Sequence, residues 1–267
     1  MKVAAASVLA ASSDKVSAKV FDETTFATPA NKKTKGITVR FLGTGAADWD
    51  IKNPNTTQNF RRFSSILVDD CLLVDPGPCI REFMDSFGCP ALLDSCKYVI
   101  NTHRHGDHYN QEMLASLPEG IFHPMAAGET WETDDHIISA YAAHHGTVKD
   151  GVHFVIESKA DGKRFFYGCD GAWMYYETAW ALLKQKFDLM IFDCTIGDLS
   201  GDYRIFEHNN VAMVAEMKAT FQSRGCCENY MVSHMARTLH PTTHADAAAV
   251  LAGYGIDTAW DNRVVIL

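Results

Sequence analysis

The sequence lacks the features that mark several large classes of protein. Its eight cysteines include no CxxC pair, which excludes a zinc ribbon and a thioredoxin-type redox motif. Cys71 in CLLVD and Cys194 in MIFDC sit in apolar, strand-like runs, where a thiol acts as a small buried hydrophobe. Reduced structural thiols of this kind fit a cytoplasmic protein. No apolar run reaches the roughly 18 residues a membrane span needs. Positive charge is scarce: 24 Lys plus Arg face 33 Asp plus Glu, a net charge of −9. That balance argues against a surface coated for duplex DNA or anionic membrane. It leaves room for a local basic patch that binds one phosphorylated substrate. Internal repeats of fixed period are also absent. The opening MKVAAASVLAASSDK lacks the hydrophobicity and cleavage pattern of a signal peptide.

What is present is a globular composition. Of 267 residues, 47% are apolar and 11% aromatic, enough for a full core rather than a disordered chain. Residues 1–35, ending in the polar run Asn31-Lys32-Lys33-Thr34-Lys35, read as a loosely attached extension. Residues 36–267 read as one compact domain. Strands are expected at 37–42, 64–68, 71–75, 97–101, 136–143, 152–158, 163–168, 188–193 and 229–233, with closing strands near 256–267. Helices are expected near 79–87, 109–117, 175–186, 209–223 and 242–253. Short strands in runs, interrupted by single helices, indicate an α+β fold of sheets sandwiched between helices.

The histidines are the most informative feature. All twelve lie from residue 103 onward, and three fall in the run His103-Arg104-His105-Gly106-Asp107-His108. In an extended segment residues two apart face one side, so His103 and His105 can grip one metal ion. The chain then turns at Gly106, which directs Asp107 and His108 at a second ion. Neutral imidazole and carboxylate are donors that Zn²⁺, Mn²⁺ or Fe²⁺ accept.

This run resembles the HxHxDH signature of the metallo-β-lactamase superfamily, whose fold is a four-layer αββα sandwich. Further motifs follow in that superfamily's order. Leu73-Val74-Asp75-Pro76-Gly77 is similar to its first motif, and Ala143-His144-His145-Gly146 to its third. Tyr167-Gly168-Cys169-Asp170-Gly171 resembles the turn whose Asp bridges both metals. Val232-Ser233-His234-Met235 resembles the late-strand turn that completes the second site. The resemblance implies two divalent cations, most readily Zn²⁺, held by His103, His105, Asp107, His108, His145, Asp170 and His234. Asp107 would thereby belong to the catalytic centre as well. In the phosphodiesterase branch the third-motif ligand lies six residues before a Gly, and counting back from Gly151 gives His145. Adjacent strand residues face opposite ways, so His144 is then a packed or supporting histidine.

Phe41-Leu42-Gly43-Thr44-Gly45 resembles the opening strand and turn of RNase Z and of the cyclic phosphodiesterases associated with carbon–phosphorus lyase. Phe206-Glu207-His208-Asn209-Asn210 is similar to a motif whose His lies near the scissile phosphate; the alternative for His208 is local helix capping. The resemblance implies hydrolysis of a small cyclic or nucleotide-derived phosphodiester. Two cations about 3.5–4 Å apart would share a hydroxide at neutral pH, and His208 would assist the leaving oxygen. Asp75, and Asp193 at the end of MIFDC, would orient metal-binding imidazoles through their free N–H groups; a plain strand-end carboxylate is the alternative for Asp193. Arg61 and Arg62, in a polar loop, are candidates to contact phosphate or to form a solvated pair. His240 and His244 are expected to line the pocket, and His123, His136 and His153 to be structural. Two departures bear on substrate: there is no Gly/Pro-rich arm of the RNase Z kind and no Cys-based zinc site near the N-terminus. A lactone or thioester hydrolase, or an RNase Z-like endonuclease acting on tRNA, therefore remain alternatives. The oligomeric state, homodimer included, is left open.

Overall fold

The computed structural model describes residues 36–267; the expected extension at 1–35 lies outside the described residues. The first sheet is built from β1 (Thr38–Gly43), β2 (Ser65–Val68), β3 (Leu72–Val74), β4 (Tyr98–Ile100) and β12 (Val264–Ile266), in the order β12-β1-β2-β3-β4. The second comprises β5 (Thr130–Glu132), β6 (His136–Ala142), β7 (Val152–Ser158), β8 (Arg164–Gly168), β9 (Leu189–Asp193), β10 (Tyr230–Ser233) and β11 (Asp257–Thr258). Its order is β11-β10-β9-β8-β7-β6-β5.

Period-two alternation assigns each strand residue to a layer. Leu72 and Val74 face the seam between the sheets, where they meet Ile138, Phe154, Phe165, Tyr167 and Ile191. Leu73, between them, faces outward with Leu42, Leu67 and Val99. That outer face is covered by Ile80 and Phe83 of α1 (Ile80–Ser86) and Met113 of α2 (Gln111–Ala115). On the other flank Phe166, Met190, Phe192 and Val232 point away from the seam. They bury against Leu182 of α3 (Tyr176–Leu182), Val214, Met217 and Phe221 of α4 (Val211–Ser223), and Leu251 of α5 (His244–Ala252). Every residue of β9 is buried, as expected of a strand covered on both faces. The result is the expected αββα order of layers.

Two elements were not anticipated. β5 is an edge strand paired only to β6, with Thr130 and Glu132 exposed, so its TWE sequence carries no buried alternation. A 3₁₀ turn at Tyr203–Phe206 is likewise too short to leave a periodic signal. Several helices begin later than expected because a side chain stops them. Asn110 and Asn210 accept hydrogen bonds from the backbone N–H groups of Met113 and Met213, capping α2 and α4.

Sheet polarity places the chemistry. β3 and β4 are parallel, and so are β8, β9 and β10. β6 and β8 are both antiparallel to β7. The chain ends of β3, β4, β6, β8, β9 and β10 therefore emerge along one edge of the sandwich. Asp75, the 103–108 run, His145, Asp170, Asp193 and His234 all sit in those emerging segments.

Candidate metal centre

Asp75 and His234, both non-glycine, adopt φ values of 61° and 56°. Such positions cost on the order of 1–3 kcal/mol and persist where surrounding structure fixes them. Here that structure is a set of hydrogen bonds. One oxygen of Asp75 accepts from the Thr102 backbone N–H at 2.7 Å, the Thr102 hydroxyl at 2.9 Å and the Asn101 amide at 3.0 Å. Its other oxygen lies 2.9 Å from Nδ1 of His108. Gly77 lets this turn pack beneath the histidine run, since a Cβ there would lie 2.5 Å from the Asp107 carbonyl oxygen.

The same logic recurs at His234. Its Nδ1 lies 3.1 Å from Asp193 Oδ2 and 2.8 Å from the Thr195 hydroxyl. Nδ1 of His145 lies 3.2 Å from the Glu207 carbonyl oxygen. With these Nδ1–H groups donating, the Nε2 lone pairs of His108, His145 and His234 are left to face the centre. The Nε2 atoms of His108 and His234 are 3.1 Å apart. His145 Nε2 and His105 Nδ1 are also 3.1 Å apart.

Asp170 sits at the middle. Its Oδ2 is 3.7 Å from Nε2 of His103, His108 and His145, and 3.5 Å from Nε2 of His234. Donor atoms of His103, His105, His145 and Asp170 all lie within 4.8 Å of one another, as do those of Asp107, His108 and His234. A third grouping, Asp170, Asp193, His208 and His234, is of a different kind. Asp193 already accepts from the backbone N–H groups of Thr195 and Asn209 and faces the Nδ1 atoms of two imidazoles. Both of its oxygens are thereby taken up by backbone N–H groups and imidazoles.

The donor set fits divalent cations. Nε2 of His103 is buried without a hydrogen-bond partner, a costly arrangement unless a ligand engages it. Burial, with His108 adding to it, pushes His103 down to about 2, so its lone pair is present at neutral pH. On the other side burial favours neutral rings, but Asp75 and Asp107 outweigh it at His108, and Asp170 does so at His234; both are raised. The carboxylates there recruit positive charge, which a cation supplies at the same place.

His208 is brought to the edge of this centre. Its Nδ1 lies 2.8 Å from Asp170 Oδ1 and 3.2 Å from Asp193 Oδ2. Burial lowers its pKa, but Asp170 and Asp193 together raise it to about 10. His144 turns away: its Nδ1 lies 3.0 Å from the Trp173 carbonyl oxygen and its ring stacks on Tyr175. His136 pairs with Asp69 at 2.7 Å, and His123 stacks on Trp131. Buried His153 meets the backbone carbonyl of Asp170 at 3.3 Å. Thr102 and Thr195, which tie orienting carboxylates to His103 and His234, escaped sequence reasoning. Their signal is position, directly before the histidine run and two residues after Asp193.

The expectation for Arg62 is corrected. Rather than contacting substrate from a solvated loop, it is fully buried. Its Nε and Nη2 donate to Glu82 at 2.5 and 2.8 Å, and Nη1 to Asp261 at 3.2 Å. The guanidinium also lies over the rings of Phe60, Phe83 and Phe87. Removing one partner of a buried pair typically costs about 3–5 kcal/mol. Arg62→Met is accordingly expected to lower unfolding stability by about 3 kcal/mol in urea titrations. An unchanged midpoint with a raised KM would instead make Arg62 a substrate contact. Arg61, His240 and His244 are brought together, lining one pocket.

Two sheets between helices, with a donor-rich edge of this form, define the metallo-β-lactamase fold, and the chain adopts it. YhfI, a metallo-β-lactamase fold protein from Bacillus subtilis, matches with a TM-score of 0.62 at 15% identity, covering 87% of this chain and 100% of its own. A diphosphatase of the PhnP family matches with a TM-score of 0.62 at 14% identity, covering 86% and 97%. Human tRNase Z, short form, matches with a TM-score of 0.58 at 17% identity, covering 85% and 98%. No family model matches the sequence, and neither does any curated protein. Among the described residues no helix is long and apolar enough to cross a membrane.

Proposed function

We propose that residues 36–267 form a metal-dependent hydrolase that cleaves small phosphodiesters, cyclic or nucleotide-derived. The observation that carries the reading is Asp170, whose Oδ2 lies 3.5–3.7 Å from four imidazole Nε2 atoms while its Oδ1 meets His208. His103, His105 and His145 would hold one divalent cation and Asp107, His108 and His234 a second, with Asp170 shared. Zn²⁺ suits these donors best, and Mn²⁺ or Fe²⁺ are compatible. Such cations supply Lewis acidity, neutralising phosphoryl oxygens and making water a better nucleophile at neutral pH.

The chain's own residues do the rest. Asp75, Asp193 and the Glu207 carbonyl fix the tautomer and tilt of three donor imidazoles. His208, anchored through Nδ1, keeps Nε2 free of protein partners among the described residues, so a proton there can pass to a leaving oxygen. The similarity to a PhnP-family diphosphatase and to human tRNase Z supports phosphorus chemistry over lactone or thioester hydrolysis. The net charge of −9 favours a small substrate over tRNA.

The test is metal analysis followed by a substrate panel. Purified protein is expected to hold close to two equivalents of divalent metal per chain and to turn over bis(4-nitrophenyl) phosphate. Full activity with one equivalent would overturn the paired sites. Turnover of lactones or thioesters alone would overturn the phosphodiester assignment.

A further inference from the structure

Beside the donor centre lies a second, differently charged pocket. It has a volume of about 150 Å³ and is lined by Arg61, Arg237, His240 and His244 together with neutral side chains, and by no Asp or Glu. Burial, with Arg61 adding to it, pushes His240 and His244 down to about 4, so both stand there as neutral imidazoles. In a chain of net charge −9, two arginines without an acidic side chain in the wall form a local reversal of sign. Such a concavity concentrates field lines and selects anions.

The individual residues are arranged for that purpose. Arg61 is 3% exposed, and among the described residues no carboxylate forms an ion pair with it. Its Nη1 donates to the Thr44 hydroxyl and to the Ala259 carbonyl oxygen at 2.7 and 2.6 Å. Its Nη2 lies 3.1 Å from His244 Nδ1, which places the His244 proton on Nε2 as a further donor. Burial lowers Arg61 to about 10, so it stays charged at neutral pH. Arg237 is exposed, and its Nη groups bond nothing among the described residues; its Nε donates to the Asp48 carbonyl oxygen at 3.1 Å. The acidic groups nearby are engaged elsewhere. The Asp48 carboxylate accepts from the backbone N–H groups of Arg237 and Thr238. Asp261 binds Arg62, and Asp257 binds Arg263.

The pocket also adjoins the centre. Met235 and Ala236 in its wall follow His234 directly, so their Cα atoms lie within about 8 Å of that of His234. His240 donates through Nε2 to the Cys194 carbonyl oxygen at 2.6 Å, one residue from Asp193 and from Thr195.

We infer that this pocket is a subsite for a second anionic group, a phosphate or a carboxylate, on the substrate whose phosphodiester lies at the metal centre. The inference rests on the proposed phosphodiesterase reading and narrows it to diesters carrying a further negative charge several ångströms from the scissile phosphorus. A fork-shaped Arg contact favours phosphate geometry.

The experiment compares thymidine 5′-(4-nitrophenyl phosphate) with the same ester bearing a 3′-phosphate, using the full-length metal-loaded protein. The extra phosphate is expected to lower KM by about tenfold, and Arg237→Ala or His244→Gln to remove most of that advantage. Calorimetry with thymidine 3′,5′-bisphosphate against thymidine 5′-phosphate should show the same Arg237-dependent preference without turnover. Cleavage of both esters with equal KM, and equal binding of both nucleotides, would overturn the subsite and leave the phosphodiesterase reading intact. Equal losses on both esters in the two variants would also overturn it. Tighter, Arg237-dependent bisphosphate binding with neither ester cleaved would keep the anion site and reject the phosphodiesterase reading.

Discussion

His145→Ala is expected to strip metal from the site formed with His103 and His105 and to abolish nearly all turnover, whereas His144→Ala keeps the full metal complement. The two residues are neighbours in sequence but opposite in orientation. His145 Nε2 lies 3.1 Å from His105 Nδ1 and 3.7 Å from Asp170 Oδ2, in the middle of the donor set. His144 bonds the Trp173 carbonyl and stacks on Tyr175, so its loss loosens a loop without removing a donor. Losing a residue that merely orients a metal ligand typically costs 10–100-fold, so loss of the ligand itself should exceed about a hundredfold. Metal content per chain and steady-state rates on bis(4-nitrophenyl) phosphate measure both variants. The reverse pattern, with His144→Ala losing the metal, would shift the third motif by one residue and contradict the observed register.

His208→Ala carries the second large effect. Both metals and the fold are expected to survive, because the donor imidazoles are held by Asp75, Asp193 and the Glu207 carbonyl rather than by His208. General acid–base help is typically worth about 10²–10⁴-fold. Turnover of a diester with a poor, alkoxide leaving group should fall by that factor. A nitrophenolate needs little protonation, so its diester should suffer much less. Equal losses on both substrates would assign His208 to electrostatic stabilisation through Asp170 instead. No loss on either would reduce its motif to a helix-capping segment and remove a main reason for preferring phosphodiesters. Metal analysis of the variant separates these outcomes from collateral damage to Asp170, which His208 touches at 2.8 Å.

The parts of this architecture that were legible from sequence are those written locally. The 103–108 run places its donors within six residues. The buried strands stand out as short apolar runs, as in Phe165, Phe166 and Tyr167, although a run apolar at every position does not say which face meets which layer. Asp170 and His234 were reached only through resemblance, since one Asp or His after a strand has no signature of its own. The arginine pair shows where local reading fails. Arg61 and Arg62 sit in a polar stretch without periodicity, yet Arg62 meets partners 20 and 199 positions away. Nothing near residue 62 announces Glu82 or Asp261. Arg61 and Arg62 also part company in space, one lining a pocket and the other buried in an ion-pair network. The threonine links at Thr102 and Thr195 were illegible for a related reason. A hydroxyl that ties an orienting carboxylate to a donor imidazole is defined by tertiary geometry, and the sequence shows only a common residue.

The donors are divided between the two sheets. Asp107 and His108 follow β4 of the first, while His145, Asp170 and His234 follow β6, β8 and β10 of the second. A cation bound among them would be a rivet through both halves of the sandwich, so that ligation and sheet docking would be one thermodynamic event. The centre cannot form in either half alone, and it comes together only after contacts spanning more than a hundred residues have closed. The His108–His234 approach, for example, joins positions 126 apart. Folding would therefore finish at this edge, and a chain halted midway would leave these donors apart. Damage that pries the sheets apart, however far from this edge, would register as lost metal before it registered as lost secondary structure.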